Sequence, residues 1–413
     1  MSSAFLAANR SGFAARVPFV LAARAGRSKV SPIGASVCLL VLVWFPSLAH
    51  GTATRLQDSA GKAQQGSSSA MPSSTAQTNA SSAVAGNAVK PDETPTPDPA
   101  LAPARLLMRQ GKLSEAEADT RNYLQTRADS AEAHFLLGFI LFQEIGAKWR
   151  EAGKEQGESL LYNSGDASGP VAELRDAKAK ESLAEFTAGA RYHVPSAFDL
   201  KIVALDYILL KDSIDADHWL TRSLQGDSRD AQAWYYLGRT KYSESQFPQA
   251  IEAFEQCLKI EPHNVQAEYN VGLSYEAFGQ NDHAIQAFES AIAWEAESPA
   301  KDPGPFIELA HLYLHENQPE KAVPYLLQSI AISPNVSKAH EELGKAYSLL
   351  HSLPEAQAEL EKAVALEPAT ASLRCMLGKI YREEGMVSKA KAEFDRCAAL
   401  NEAQYANTPG MKK

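Results

Sequence analysis

The chain has 413 residues, is 45% hydrophobic and carries a formal net charge of −10, which leaves room for two or three ordinary domains or one long repeat array. Beyond position 50 it holds 35 basic against 50 acidic residues, a balance that excludes sequence-independent nucleic-acid binding, which needs a basic footprint. Four cysteines in this length exclude a disulfide framework.

Residues 1–49 read as an export signal. Five basic residues (Arg10, Arg16, Arg24, Arg27, Lys29) and no acidic one precede the apolar run Val37–Phe45, which leads into Pro46 and the small-residue site Ser47-Leu48-Ala49. Basic, apolar, then small is the secretory layout, with cleavage expected after Ala49. The run is much shorter than the roughly 20 residues that span a bilayer. The alternative is that residues 33–49 stay uncleaved as a membrane anchor. Cys38 follows Val37 and precedes most of the apolar run, so it is poorly placed for lipid attachment. Residues 50–99 are rich in Ser, Ala and Pro with few large apolar side chains. They cannot bury enough surface to offset ordering entropy, so a disordered linker is predicted, ending in the extended spacer Pro91–Pro99.

From residue 100 apolar residues recur at three and four places, the period of amphipathic helices. Residues 100–230 carry the pattern in worn form. Leu106–Ser130 has Gly111 in a turn and Ala116 in a packing place; Ala197–Asp230 keeps Ala204, Tyr207, Ala216 and Leu220. Between them, Ala131 opens a helix with Leu137 and Gly138, whose partner helix returns near Ser182–Arg191 with Phe186 in the seam. The stretch 146–177, which contains NSGDASGP, is therefore predicted as an inserted loop with a short helical start at Trp149–Glu155.

The pattern is regular over Ala231–Asn264. Trp234, Leu237 and Gly238 mark a first helix, Ala250, Phe254 and Leu258 a second, and Pro262 closes the hairpin after 34 residues. Matching units follow at 265–302, 303–336, 337–370 and 371–404, with 405–413 as a tail. The spacing resembles the tetratricopeptide repeat family, whose signature is Trp-x-x-Leu-Gly-x-x-Tyr, Ala-x-x-x-Phe and a closing Pro. Lys241 stands where the Tyr is expected, with Tyr242 one residue later. The resemblance implies an all-α, right-handed superhelical solenoid of antiparallel helix pairs whose first helices line a concave groove.

The second, fifth, ninth, twelfth and thirteenth places of each unit are expected on that inner face. Towards the N-terminus they hold Phe135, Phe139, Phe142, Tyr235, Tyr242 and Tyr269, with Arg239 among them. Towards the C-terminus they hold His311, His315, Lys338, Lys345, Lys379 and Arg382. A groove aromatic at one end and basic at the other suits a peptide with apolar anchors and acidic residues. The competing reading is that the three Phe residues pack against the insert and that the cations pair with acids such as Glu341 and Glu383. Some family members grip a C-terminal carboxylate with Lys and Asn residues spread over three units. Asn270 takes one such place, but Tyr235, Arg239 and Gly304 depart from the rest, so no such clamp is expected.

His311 and His315 share a helix face, but no third ligand accompanies them, so a surface or packing pair is expected and no metal. Cys397 reads as a free thiol in a small packing place, pairing with Cys375 being the lesser reading; Cys257 stays unpaired either way. No cofactor motif or catalytic domain appears. The expected function is a non-enzymatic protein–protein interaction scaffold, exported to the periplasm or secreted, that binds a peptide or partner protein and no nucleic acid. The alternatives are an assembly subunit of cell-envelope or polysaccharide export machinery, and the recruiting arm of a separate enzyme.

Overall fold

The computed structural model describes residues 97–151, 169–295 and 301–406. The signal predicted over 1–49, nearly all of the linker and most of the tail lie outside them. Sixteen α-helices among the described residues pair as hairpins in chain order. The pairs are α1 (Ala102–Arg109) with α2 (Leu113–Thr126), α3 (Ala131–Glu151) with α4 (Pro170–Gly189), and α5 (Ala197–Leu209) with α6 (Ser213–Gly226). Next come α7 (Ala231–Ser243) with α8 (Phe247–Ile260), and α9 (Val265–Ala277) with α10 (Asn281–Glu295). The series ends with α11 (Gly304–His315) and α12 (Pro319–Ile332), α13 (Ser337–Leu349) and α14 (Leu353–Leu366), and α15 (Ala371–Glu383) and α16 (Val387–Ala406). Each helix packs on its partner and each pair on the next, so the described chain is an all-α solenoid.

Local chemistry sets the helix ends. Asp230 and Asn264 cap α7 and α9 by accepting from the Ala233 and Ala267 amides, each at 3.0 Å, and Ser196 and Asp199 close a capping box on α5. The turn inside a hairpin repeats one device. Two residues past the first helix the backbone is left-handed at Gly111, Lys211, Ser245, Gly279, Asn317, His351 and Gly385. That conformation is what lets the chain reverse in so few residues; glycine adopts it freely and the other four positions hold it against their Cβ. The pair α3–α4 lacks the device because α3 runs on through the place where the turn would fall.

A second device fixes four of the hairpins to the loop before them. The fourth residue of the first helix turns back to a carbonyl six residues earlier: His134 to Ala128 (3.1 Å), Trp234 to Ser228 (3.0 Å), His340 to Pro334 (2.9 Å) and Arg374 to Pro368 (3.0 Å). Where that residue is not Trp, its second polar group reaches a carboxylate of the partner helix, Glu185, Glu359 or Glu393. Trp234 thus has a polar task besides its bulk, and His or Arg takes it in the other three hairpins.

The core lies along the seams. Ala116, Ala216, Ala250, Ala284, Ala322 and Ala356 are fully buried and let the second helices approach. Gly238 faces Phe254 so closely that a Cβ there would come 2.6 Å from the ring. Phe254 and Phe288 are themselves fully buried.

Two expectations need correction. The loop predicted over 146–177 is narrower: α3 continues to Glu151 because Ile145 and Trp149 are buried in the core, and α4 already starts at Pro170; residues 152–168 lie outside the described set. Cys397 is not a free thiol. It is bonded to Cys375 across the last hairpin, where α15 and α16 bring the two Cα atoms to 5.5 Å. Cys257 is free and buried, and burial pushes its thiol up to about 12.

Candidate partner-binding groove

The first helices α11, α13 and α15 of three successive hairpins frame a cleft of about 500 Å³. Its floor is apolar, built by Leu314, Leu349, Met376 and Ile380, and it reaches inward past Gly344 to Leu360 of α14. His311, His315, Lys345 and Lys379 stand around it. Four of the residues expected on the inner face are therefore brought together at one place, by side chains nine and thirteen places into their units.

The cations are not all available. Glu342 is 1% exposed and receives Lys338 Nζ at 2.6 Å and Lys345 Nζ at 3.1 Å, while Lys345 also meets Glu341 at 2.6 Å. Burial would push the Glu342 carboxyl up, but His311, Lys338 and Lys345 outweigh it and hold it well below the usual carboxylate range. His311 Nδ1 stands 3.4 Å from Glu342 Oε1, within ion-pair range but out of hydrogen-bond alignment; that carboxylate raises the imidazole against the opposing effect of burial. The basic end expected from the sequence is thus mostly a closed charge network. Lys379 is exposed and makes no ion pair among the described residues. Arg382 faces away from the cleft, its guanidinium over the Phe394 ring at 5.7 Å.

Upstream the expected aromatic end divides. Phe135 stacks on Phe186 at 6.0 Å and Phe139 meets Phe198 edge-on at 5.0 Å; with Phe142 they pack against the core of α3 to α6, so this trio serves packing and is no free groove wall. Tyr235 is 8% exposed. Its hydroxyl accepts from Arg239 Nη1 (3.3 Å) and Asn270 Nδ2 (3.4 Å), tying α7 to α9. Tyr242 is half-buried against Phe247, and burial raises its hydroxyl. Tyr269 lies against Phe288 at 5.8 Å. A Cβ on Gly304 would stand 3.1 Å from the Tyr269 hydroxyl, which gives a steric reason for glycine at that departure from the clamp pattern.

Between the two ends sits an acidic stretch that the sequence reading passed over. Burial and the charge of Glu276 raise Glu308 to about 7, and burial raises Glu276 as well. Glu276 occupies a twelfth place, already among the inner-face positions. Glu308 and Glu342 share the sixth place of adjacent units, and that recurrence was the available signal. Among the described residues no set of three or more His, Cys, Asp or Glu is placed to hold a metal; His311 and His315 simply pack edge to face at 4.6 Å. Nor is any described helix long and apolar enough to cross a membrane.

Residues 231–264 match one family model described as tetratricopeptide repeat, and residues 265–298, 306–336 and 371–404 match a second of the same description. No curated protein matches the chain. Among solved structures, similar chains include YrrB, described as a TPR protein with an unusual peptide-binding site, at 19% identity over 44% of this chain and 91% of that one, TM-score 0.38. MamA from Desulfovibrio magneticus is 18% identical over 42% and 96%, TM-score 0.39. The Cut9–Hcn1 structure is 14% identical over 75% of this chain and 53% of that one, TM-score 0.45.

Proposed function

We propose that this chain, a tetratricopeptide repeat protein, is a non-enzymatic interaction scaffold that holds an extended segment of a partner protein across the first helices of its later hairpins. The observation that carries this reading is the cleft framed by α11, α13 and α15, which is apolar at its floor and polar at its rim. That is the arrangement by which small surfaces gain affinity from a buried anchor and specificity from surrounding charges. Its framing by three successive first helices gives a bound segment three units to lie along.

We read the scaffold as exported, to the periplasm or beyond the cell. The basic–apolar–small layout of residues 1–49 supports this, and so does the Cys375–Cys397 bond, since disulfides persist in oxidising compartments and are rare in the cytosol.

Photocrosslinking tests the groove. A benzophenone side chain in place of His315 or Lys379 should capture the partner in cells, whereas the same group in place of Lys391 on the terminal helix should not. Capture from position 391 alone sinks the reading. For export, the mature N-terminus is read by mass spectrometry: a chain starting after Ala49 is expected, and a soluble cytoplasmic protein that keeps residues ahead of Gly34 refutes it.

A further inference from the structure

The α3–α4 hairpin meets α5 at a polar contact sealed inside the apolar core. Ser182 of α4 and Asp206 of α5 are both 0% exposed. They are flanked along their helices by the core residues Ala179 and Phe186 on α4 and Leu205 and Leu209 on α5. Ser182 Oγ stands 3.0 Å from the Gly138 carbonyl oxygen of α3 and 2.5 Å from Asp206 Oδ2. Gly138 also clears the Phe186 ring, one turn on from Ser182. A hydroxyl and a ring of α4 thus rest together on one residue of α3.

The protons at this contact can be counted. A serine hydroxyl carries one, and here two acceptors lie within its reach. With Asp206 ionised, Ser182 could serve only one of them, and its oxygen would face the other with no proton between. The second carboxylate oxygen, Oδ1, is buried without a hydrogen-bond partner, so part of the charge would stand unmet in the core, at high cost. A protonated Asp206 removes both conflicts. It donates through Oδ2 to Ser182 Oγ, Ser182 donates to the Gly138 carbonyl, and Oδ1 is left as a neutral oxygen. No cation pairs with Asp206 among the described residues. Lys178 of α4 binds Glu144 of α3, Arg175 holds Asp176, and His134 of α3 faces Glu185 of α4. Lys201 of α5 holds Asp230, and Asp217 of α6 meets Lys241 of α7. Tyr207, next along α5, feels Asp206 together with Asp212 and Asp215. Burial pushes the Asp206 carboxyl well above its usual range, and Ser182 offsets this only in part.

We propose that Asp206 is held as a neutral carboxylic acid, and that the relay from Asp206 through Ser182 to Gly138 is a pH-sensitive joint fastening α5 to the α3–α4 hairpin. The sign follows from proton linkage. The unfolded side chain ionises in the ordinary aspartate range and the folded one only above it, so the joint is at full strength in acid. It weakens as pH rises, because each opening then releases a proton, and it is lost once pH passes the folded group's own titration. None of its residues belongs to the partner groove, so the joint stands or falls independently of the function proposed above.

The test uses the full chain with its aspartate carboxyl carbons labelled with carbon-13. In the parent at about pH 7, one aspartate resonance should stand at the position of a protonated acid, apart from the ionised ones. It should vanish in Asp206→Asn and move in Ser182→Ala. Asn copies the shape of the protonated acid and can donate to Ser182, so that variant should keep the parent's helical circular dichroism. Hydrogen exchange of α4 and α5 amides, corrected for intrinsic rate, then reads the joint itself. From about pH 5 to pH 7 the parent's protection relative to Asp206→Asn should fall roughly tenfold per pH unit, because Asn has no proton to release. A parent spectrum with no protonated aspartate at neutral pH overturns the proposal, whether or not either variant folds. So does a protonated resonance that survives in Asp206→Asn. A protection ratio that stays flat with pH overturns the joint even if the acid proves neutral.

Discussion

Replacing Glu308 by Gln tests the acidic stretch at the middle of the inner face. Glu308 sits on α11 and feels Glu276 of α9 as a like charge, with His311 of its own helix and Lys338 of α13 as partial compensation and Glu342 beyond. Burial first, and Glu276 second, raise its carboxyl from 4.5 to about 7. The folded pKa exceeds the unfolded one, so the stability tied to the protonated form is present in full below pH 4.5 and is lost as pH rises through about 7. Ionising the folded-state group against that shift costs about 3 kcal/mol. Gln imitates the protonated acid and does not titrate. The variant should therefore lie within about 1 kcal/mol of the parent near pH 5 and exceed it by about 3 kcal/mol near pH 8, measured as hydrogen-exchange protection of α11 amides corrected for intrinsic rate. Equal protection at both pH values, or an advantage confined to pH 5, refutes the argument that an ionised Glu308 strains this face.

Gly238→Ala places a Cβ 2.6 Å from the fully buried Phe254 ring and should lower stability by about 1–3 kcal/mol, seen as an earlier thermal transition. Gly344→Ala brings a Cβ 2.6 Å from Leu360 Cγ but should cost less, because Leu360 lines the adjoining cleft and can turn into it; equal losses would show that Leu360 has no room to move. Breaking the Cys375–Cys397 bond, by Ser at both positions, frees a link across a sequence separation of 22. It should cost about 3 kcal/mol of loop entropy, read as faster exchange confined to α15 and α16. His351 holds a φ of 58°, so His351→Gly should raise the thermal midpoint with a gain of about 0.5–1 kcal/mol, whereas Gly385→Ala at the equivalent turn should lower it.

The helices and their pairing were legible in the chain because amphipathic period, seam glycines and turn chemistry are local properties. Trp234, Leu237, Gly238, Ala250 and Phe254 announced one hairpin, and its neighbours repeated the spacing. Legibility failed where one element's identity depends on another. The extension of α3 to Glu151 follows from the burial of Ile145 and Trp149; the local polar sequence beyond them suggested a loop. The disulfide is not legible locally for a similar reason: only the packing of α15 on α16 brings Cys375 and Cys397 within bonding reach.

For the candidate site the division is sharper. The sequence alone determined which residue types recur at inner-face places, because a helical repeat maps position onto face. It could not determine which charges remain available there. Lys338 and Lys345 look like open cations until Glu342 is placed between them at bonding distance, and Phe135 looks like a groove residue until Phe186 is placed against it. The cleft at Gly344 is likewise a tertiary property. Gly344 and Leu360 are each ordinary in the sequence, and only the packing of α13 on α14 and of both against α11 and α15 makes them part of one cleft, with Leu360 filling the clearance the glycine leaves.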